Sequence, residues 1–254
     1  MAPTALVTRP AAQAGPWVER LRAAGFTAQA LPLLAIEPVA EPSVLRAAWQ
    51  SLDGCALAMF VSPNAVQGFF AARPPLAPWP PALRAAAVGP GTVQALVAAG
   101  VPAARCIAPS EPPFDSGQLW ALLHDEPWSG RQVLIVRGDG GRDEFAQALR
   151  GAGAAVRFVQ AYARARPHWS AGESALAARA LQAPGAFAWL LSSAEAVGHL
   201  PALLPGADWS RACAIASHPR IAEAARRLGF GRVIDAAPTM QAIVDALRAL
   251  DGAA

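Results

Sequence analysis

Residues 86–100 read AAVGPGTVQALVAAG: an apolar run, a Gly-Pro-Gly-Thr turn, and then apolar residues at helical spacing. The apolar run predicts a buried strand, and Val93, Leu96 and Val97 fall on one face of a predicted helix. A strand followed by a turn and a helix is the repeating unit of parallel sheets that are covered by helices. This stretch therefore predicts an α/β fold.

Five further stretches repeat this order of apolar run, small or polar turn and helical spacing. They begin at Ala5, Met59, Val133, Trp189 and Ala214. Several predicted helices close on a glycine, where a helix often needs a left-handed residue at its end. These glycines are Gly25, Gly100, Gly153 and Gly229. Six units and the strands that follow them, in a chain of 254 residues, predict two parallel sheets rather than one.

The composition indicates a folded chain with real hydrophobic cores, at 54% hydrophobic and 15% charged residues. No apolar run is long enough to span a bilayer and the first residues lack a signal-peptide pattern, so we expect a cytoplasmic protein without membrane contact. The three cysteines and four histidines have no metal-ligand spacing, so we expect no metal site. The 21 basic residues are all arginines and are scattered, which argues against a nucleic-acid surface.

Small and polar residues follow the predicted strands of all six units. Because the carboxyl ends of parallel strands share one edge of a sheet, these turns predict ligand-binding edges. Free amides at helix N-termini, with hydroxyl and guanidinium groups beside them, suit an anion. The same Ser, Thr and Asn residues are also ordinary helix caps, and for any single turn that interpretation stays open. Six such turns together favour a ligand with several acid groups.

The known nucleotide motifs are incomplete in this sequence. Gly89-Pro90-Gly91 is followed by Gln94 where a dinucleotide motif needs its third glycine, and a phosphate loop needs a lysine that the chain lacks. No GxSxG nucleophile motif occurs either. A nucleotide-dependent enzyme with atypical loops stays an alternative, but no motif supports it.

Seven short motifs follow one another along the chain: LVTRP at Leu6, FVSPNAV at Phe60, AVGPGT at Ala87, VLIVRGDGGR at Val133, QAYARARP at Gln160, LLSSAEAV at Leu190 and SHPRIAEAARRLGF at Ser217. In this order they resemble the bacterial uroporphyrinogen-III synthase family. Each motif alone is generic, and their collinearity along the whole chain carries the resemblance.

The resemblance implies two α/β domains, each a parallel sheet flanked by helices, joined by a two-stranded antiparallel connector. The chain would leave the first domain near residues 33–39 and return near residues 158–167. The first domain would then comprise residues 1–34 and 167–254. The second would comprise residues 35–166 and include the connector strands.

The resemblance also implies an activity: cyclisation of hydroxymethylbilane, a linear tetrapyrrole with many carboxylates. The reaction loses water, passes through a spiro intermediate and inverts the last pyrrole ring, within heme and siroheme biosynthesis. It implies no cofactor, and a monomer that makes a transient contact with hydroxymethylbilane synthase. The alternative from another class is a noncatalytic two-lobed module that binds a tetrapyrrole or another anion.

For the catalytic residue, the resemblance points to Tyr162, the only tyrosine of the chain. Its phenol would protonate the departing hydroxyl in an interdomain cleft; without the resemblance, one tyrosine in a strand is read as a packing residue. The remaining implied residues would bind substrate acid groups through amide, hydroxyl or guanidinium donors. They are Arg9, Ser62, Asn64, Thr92, Arg137, Gly138, Ser192, Ser193, Ser217, His218 and Arg220.

Overall fold

The computed structural model describes residues 2–141 and 143–251. The chain divides into two compact units: unit 1 is Met1–Ala35 with Ala165–Ala254, and unit 2 is Ile36–Arg164. A compact unit is not by itself a domain that folds alone. The predicted domains, residues 1–34 with 167–254 and residues 35–166, therefore stay a prediction.

Strands and helices alternate along most of the chain. The strands are β1 (Thr4–Val7), β2 (Ala28–Ala30), β3 (Ala35–Glu37), β4 (Cys55–Phe60), β5 (Arg84–Ala87), β6 (Cys106–Ile107), β7 (Gln132–Arg137), β8 (Ala155–Gln160), β9 (Ala163–Ala165), β10 (Phe187–Leu191), β11 (Cys213–Ala216) and β12 (Arg232–Asp235). The helices are α1 (Ala11–Ala23), α2 (Pro42–Gln50), α3 (Pro63–Ala71), α4 (Pro90–Ala98), α5 (Ser116–Ala121), α6 (Glu144–Gly151), α7 (Ala171–Gln182), α8 (Ala194–Leu203), α9 (Pro219–Leu228) and α10 (Met240–Asp251).

Each unit contains a five-stranded sheet in which neighbouring strands run parallel. The strand order is β12-β11-β10-β1-β2 in unit 1 and β6-β5-β4-β7-β8 in unit 2. β3 and β9 form a separate small antiparallel sheet, and the chain passes between the units within these two strands. The predicted α/β class, with two helix-flanked parallel sheets and a two-stranded antiparallel connector, is confirmed.

In the middle of each sheet lie two neighbouring strands whose following helices and strands lead towards opposite edges of the sheet. In unit 2, β4 leads to β5 on one side while β7 leads to β8 on the other, and Phe60 lies beside Val136 where the two strands end. In unit 1 the reversal lies between β1 and β10, with Val7 beside Leu190. Parallel α/β sheets bind ligands at such a switch point, so the geometry of both sheets points to these strand ends.

Alternate residues of β4 pack into cores on opposite faces of the second sheet, as the period of a strand requires. Ala58 and Phe60 share a core with residues of α2, α3 and α4. Leu57 and Met59 share the other core with residues of α5 and α6. Since both faces are covered, the strand ends are the part of the central strands that is open to a ligand.

Four helices end at the predicted glycines. Left-handed glycines follow α1, α4, α6 and α9, as predicted: Gly25, Gly100, Gly153 and Gly229. Among the described residues, no helix is long and apolar enough to cross a membrane.

Helix α3 packs directly against the chain between β8 and β9, and Gly68 makes this possible. A Cβ atom at Gly68 would lie 2.0 Å from the carbonyl oxygen of Ala161. We expect Gly68→Ala to lower the free energy of unfolding by about 2–3 kcal/mol, because helix and backbone must separate. Chemical denaturation measures this change.

Gly198 in α8 is the matched control, since a Cβ atom there meets nothing within 4 Å. Gly198→Ala should raise the free energy of unfolding by about 0.5–1 kcal/mol through helix propensity alone. Equal effects of the two substitutions would contradict the close approach at Gly68.

Candidate functional site

Tyr162 lies just past the end of β8, beside the end of β7. The amide of Ala161 donates to the carbonyl oxygen of Arg137 at 2.7 Å, which brings the next residue, Tyr162, beside Gly138. The tyrosine is 7% exposed. A Cβ atom at Gly138 would lie 2.7 Å from ring carbons Cε2 and Cζ of Tyr162. The ring therefore lies directly against the backbone of Gly138, which must be glycine for this contact.

The phenol of Tyr162 is hydrogen-bonded to Ser62. Ser62 Oγ lies 3.2 Å from Tyr162 Oη, within hydrogen-bond distance, and accepts a hydrogen bond from the amide of Ala65, also at 3.2 Å. Ser62 is the N-cap of α3, with an extended backbone and Pro63 as the first helical residue. The end of β4 and the start of α3 thus position the hydroxyl that contacts the tyrosine.

Tyr162 lines two hollows within unit 2. The first, which we call the strand-end cavity, has a volume of about 190 Å³. The strand ends supply Val61, Arg137 and Gly138 to its wall, and α6 supplies Phe145. The second, which we call the α2–α3 cleft, has a volume of about 380 Å³. Its walls include Ile36, Leu45, Asn64, Gln67 and Gly68.

Two arginines of the strand-end cavity are paired with aspartates of the loop after β7. Arg137 Nη1 lies 2.6 Å from Asp143 Oδ1, and its guanidinium carbon lies 3.9 Å from the ring centroid of Phe158. Arg164 Nε lies 3.3 Å from Asp139 Oδ1. A substrate carboxylate that binds either guanidinium would therefore meet a cation that already has a carboxylate beside it.

The other predicted residues of unit 2 lie apart from this arrangement. Asn64 is half-buried and lines the α2–α3 cleft rather than the strand-end cavity. Thr92 is only 5% exposed, in the first turn of α4, and lines neither hollow. The structure brings together Ser62, Arg137, Gly138 and Tyr162, and leaves Thr92 outside that group.

In unit 1, three predicted residues meet where β1, β10 and β11 end. Arg9, Ser192 and Ser217 line a hollow of about 20 Å³, which is barely enough for one water molecule. The guanidinium of Arg9 lies 4.4 Å from the ring centroid of Trp17. Burial lowers the pKa of Arg9 from its ordinary value, although arginine remains charged at neutral pH.

The remaining predicted residues of unit 1 belong to helix starts. Ser193 Oγ accepts the amide of Ala196 at 3.3 Å, and His218 Nδ1 accepts the amide of Arg220 at 3.2 Å. Ser217 Oγ donates to the carbonyl oxygen of Leu191 at 3.3 Å. The capping interpretation therefore holds for Ser193 and His218, as it does for Ser62. Arg220 is exposed at the first turn of α9.

Sequence reasoning missed Arg164, and it missed the aspartate partners of Arg137 and Arg164. Asp139 and Asp143 lie in the sequence RGDGGRD, whose acid content is visible but whose pairing depends on how a glycine-rich loop turns. Sequence reasoning also missed Trp17 of α1, whose ring lies against the guanidinium of Arg9.

A family model described as uroporphyrinogen-III synthase HemD matches residues 15–245 of the chain. The chain belongs to the uroporphyrinogen-III synthase family. The predicted family and enzyme class are thereby confirmed: it is a cyclising lyase of tetrapyrrole biosynthesis.

Curated relatives carry the same name. The uroporphyrinogen-III synthase of Salmonella typhimurium is 29% identical over 233 residues, covering 89% of this chain and 91% of the relative. The Escherichia coli synthase is 28% identical over 233 residues, with the same coverage. The Synechococcus elongatus synthase is 32% identical over 164 residues, which is 63% of this chain and 60% of that one.

Solved structures of uroporphyrinogen-III synthases share the fold. A mutant synthase from Thermus thermophilus aligns with a TM-score of 0.56 at 19% identity, covering all of both chains. The Helicobacter pylori enzyme aligns with a TM-score of 0.61 at 14% identity, covering 98% of this chain and all of the other. At such low identity the likeness extends to the fold alone.

Proposed function

We propose that this chain converts hydroxymethylbilane into uroporphyrinogen III, with loss of water and inversion of the last pyrrole ring through a spiro intermediate. The observation that carries the proposal is the setting of Tyr162. Its phenol lies against Gly138 and Ser62 at the switch point of the second sheet, where it lines two hollows. This is where a fold of this kind binds and processes a ligand.

In the first step, Tyr162 Oη donates its proton to the hydroxymethyl oxygen of the first ring. The carbon–oxygen bond breaks, water leaves, and the electron pair of the pyrrole nitrogen stabilises the resulting cation. The substituted α-carbon of the last ring attacks this cation and forms the spiro intermediate. That intermediate fragments and recloses through the unsubstituted α-carbon, whose proton returns to the tyrosinate, so that the enzyme is regenerated.

The protein must also prevent a simpler reaction. Hydroxymethylbilane cyclises unaided without inversion, so the enzyme has to favour the more contorted closure by holding the chain in place. Helix N-termini and donors at the strand ends suit this task, because the substrate carries many carboxylates. We propose that these groups bind its acid side chains: Arg9, Asn64, Thr92, Arg137, Gly138, Ser192, Ser193, Ser217, His218 and Arg220.

We further propose that the chain acts as a monomer in the cytoplasm, without a cofactor. Because the substrate is unstable in water, a transient contact with hydroxymethylbilane synthase would shorten the time in which unaided closure competes. Light scattering of the purified chain measures its oligomeric state. Light scattering of its mixture with hydroxymethylbilane synthase measures the association of the two enzymes.

The deciding experiment is an analysis of product isomers. Freshly made hydroxymethylbilane is incubated with the protein, the product is oxidised, and type I and type III uroporphyrin are separated. We expect type III in large excess with the folded protein, and type I with heat-denatured protein. An unchanged excess of type I would refute the synthase, and bound but unreacted substrate would indicate the noncatalytic module instead.

A further inference from the structure

The hydroxyl of Ser62 is already engaged within unit 2. The sequence predicts Ser62 as a substrate ligand, but its hydroxyl is hydrogen-bonded within the protein, to Tyr162 and to the amide of Ala65. We propose that Ser62 is the positioning residue of Tyr162, donating to the phenol oxygen so that the phenol's own hydrogen points at the reacting hydroxyl. This inference rests on the proposed function of Tyr162.

The hydrogen bonds of Ser62 leave its hydrogen available to the phenol. A serine hydroxyl has one hydrogen to donate and two lone pairs that accept. As the N-cap of α3, Ser62 Oγ accepts the amide of Ala65, and Tyr162 Oη lies 3.2 Å from the same oxygen. In the proposed arrangement, serine donates its one hydrogen to the phenol oxygen. The phenol oxygen then acts as an acceptor from serine, and its hydrogen is left for a third group.

The surroundings hold both partners in place. Ser62 is followed by Pro63, whose fixed φ suits the first helical position and keeps the serine at the cap. On the other side, the backbone of Gly138 lies directly against the ring of Tyr162. The ring is thus confined by one residue and its hydroxyl is oriented by another. Such orientation of a proton donor is a large part of its catalytic effect.

The same contact stabilises the tyrosine after it has lost its proton. A tyrosinate accepts a stronger hydrogen bond from Ser62 than a neutral phenol does, because the acceptor is then charged. Tyr162 Oη also lies beside the first turn of α3, where the helix dipole favours negative charge. Ser62 therefore acts in the step in which the charge forms, which lowers the barrier rather than strengthening substrate binding.

A double-mutant cycle tests the proposal. We expect Ser62→Ala to lower kcat about 10-fold to 100-fold while KM stays within about 3-fold, since only the orientation of Tyr162 is lost. In a Tyr162→Phe background the same substitution should lower kcat by less than about 2-fold, because the hydroxyl has nothing left to orient. Ser62→Thr, which keeps the hydroxyl, should retain kcat within a few-fold of the original chain.

Loss of the helix cap is controlled separately. Ser170 caps α7 in the same way, accepting the amide of Glu173 at 3.2 Å, and it has no predicted role in the reaction. Ser170→Ala should lower thermal stability without changing kcat. Ser62→Gly removes the hydroxyl with a residue that is tolerated at an N-cap, so it reports on kcat even where Ser62→Ala folds poorly.

The outcomes separate the two proposals. A Ser62→Ala protein with raised KM and unchanged kcat, in both backgrounds, would make Ser62 a substrate ligand and overturn the positioning role. An inactive Tyr162→Phe beside a fully active Ser62→Ala would overturn that role alone. Full activity of Tyr162→Phe would refute the proposed function of the tyrosine itself, and the role of Ser62 with it.

Discussion

Tyr162→Phe should lower kcat about 100-fold or more, since a positioned general acid contributes about 10²–10⁴-fold. The substitution removes only the hydroxyl, so the ring can keep its contact with Gly138. KM should change little, because the phenol acts on the leaving hydroxyl rather than on the acid side chains. With ring closure slowed, unaided cyclisation competes, and the product should shift from type III towards type I.

Stability provides the control for this variant. Ser62 loses one partly buried hydrogen bond, which should lower the free energy of unfolding by about 1 kcal/mol. Chemical denaturation beside single-turnover kinetics separates that loss from the loss of activity. A folded Tyr162→Phe protein with nearly full turnover to type III product would mean that another group protonates the hydroxyl.

Gly138→Ala should have the second largest effect, a loss of about 100-fold in kcat. The new Cβ atom would overlap ring carbons of Tyr162 at 2.7 Å, so the ring must move away from the backbone of Gly138. Since Tyr162 Oη would move with it, the contact with Ser62 would be lost as well. A displacement of the reacting group by about 1 Å can cost this much in rate.

Gly54 is the matched control for this substitution, because it lies at the opposite end of the second sheet, just before β4, with nothing within 4 Å of an added Cβ atom. Gly54→Ala should leave kcat unchanged. If Gly138→Ala acts by moving the phenol, its effect on kcat should nearly vanish in the Tyr162→Phe background. An equally large loss there would show that the substitution acts elsewhere, for example on the loop after β7.

The fold was predictable because its signals are local and repeated. Each unit of apolar run, turn and helical spacing, such as residues 86–100, predicts one strand and one helix. Six copies together indicate parallel sheets. Pairing the returning segment near Tyr162 with the segment after Leu34 took a family resemblance, because two three-residue strands carry no periodic signal that identifies their partner.

The candidate site was predictable only in part. Gly138, Ser62 and Tyr162 come together because β4, β7 and β8 are neighbours, and strand order is a property of the whole sheet. The pairing of Arg137 with Asp143 depends on the path of one loop, which residue types alone do not determine. The burial of Thr92, which is only 5% exposed in the first turn of α4, is likewise not indicated by its residue type.

The insertion of unit 2 within unit 1 sets an order of events on the ribosome. Unit 2 is one continuous segment, so its five strands are all available once residue 160 has emerged. β1 must wait for β10, its central neighbour, which is translated about 180 residues later. Until then, β1 and β2 form a two-stranded fragment, and the edge of β1 that later pairs with β10 has no partner. Chaperone binding during translation is therefore expected at the amino-terminal fragment rather than at the segment that holds Tyr162.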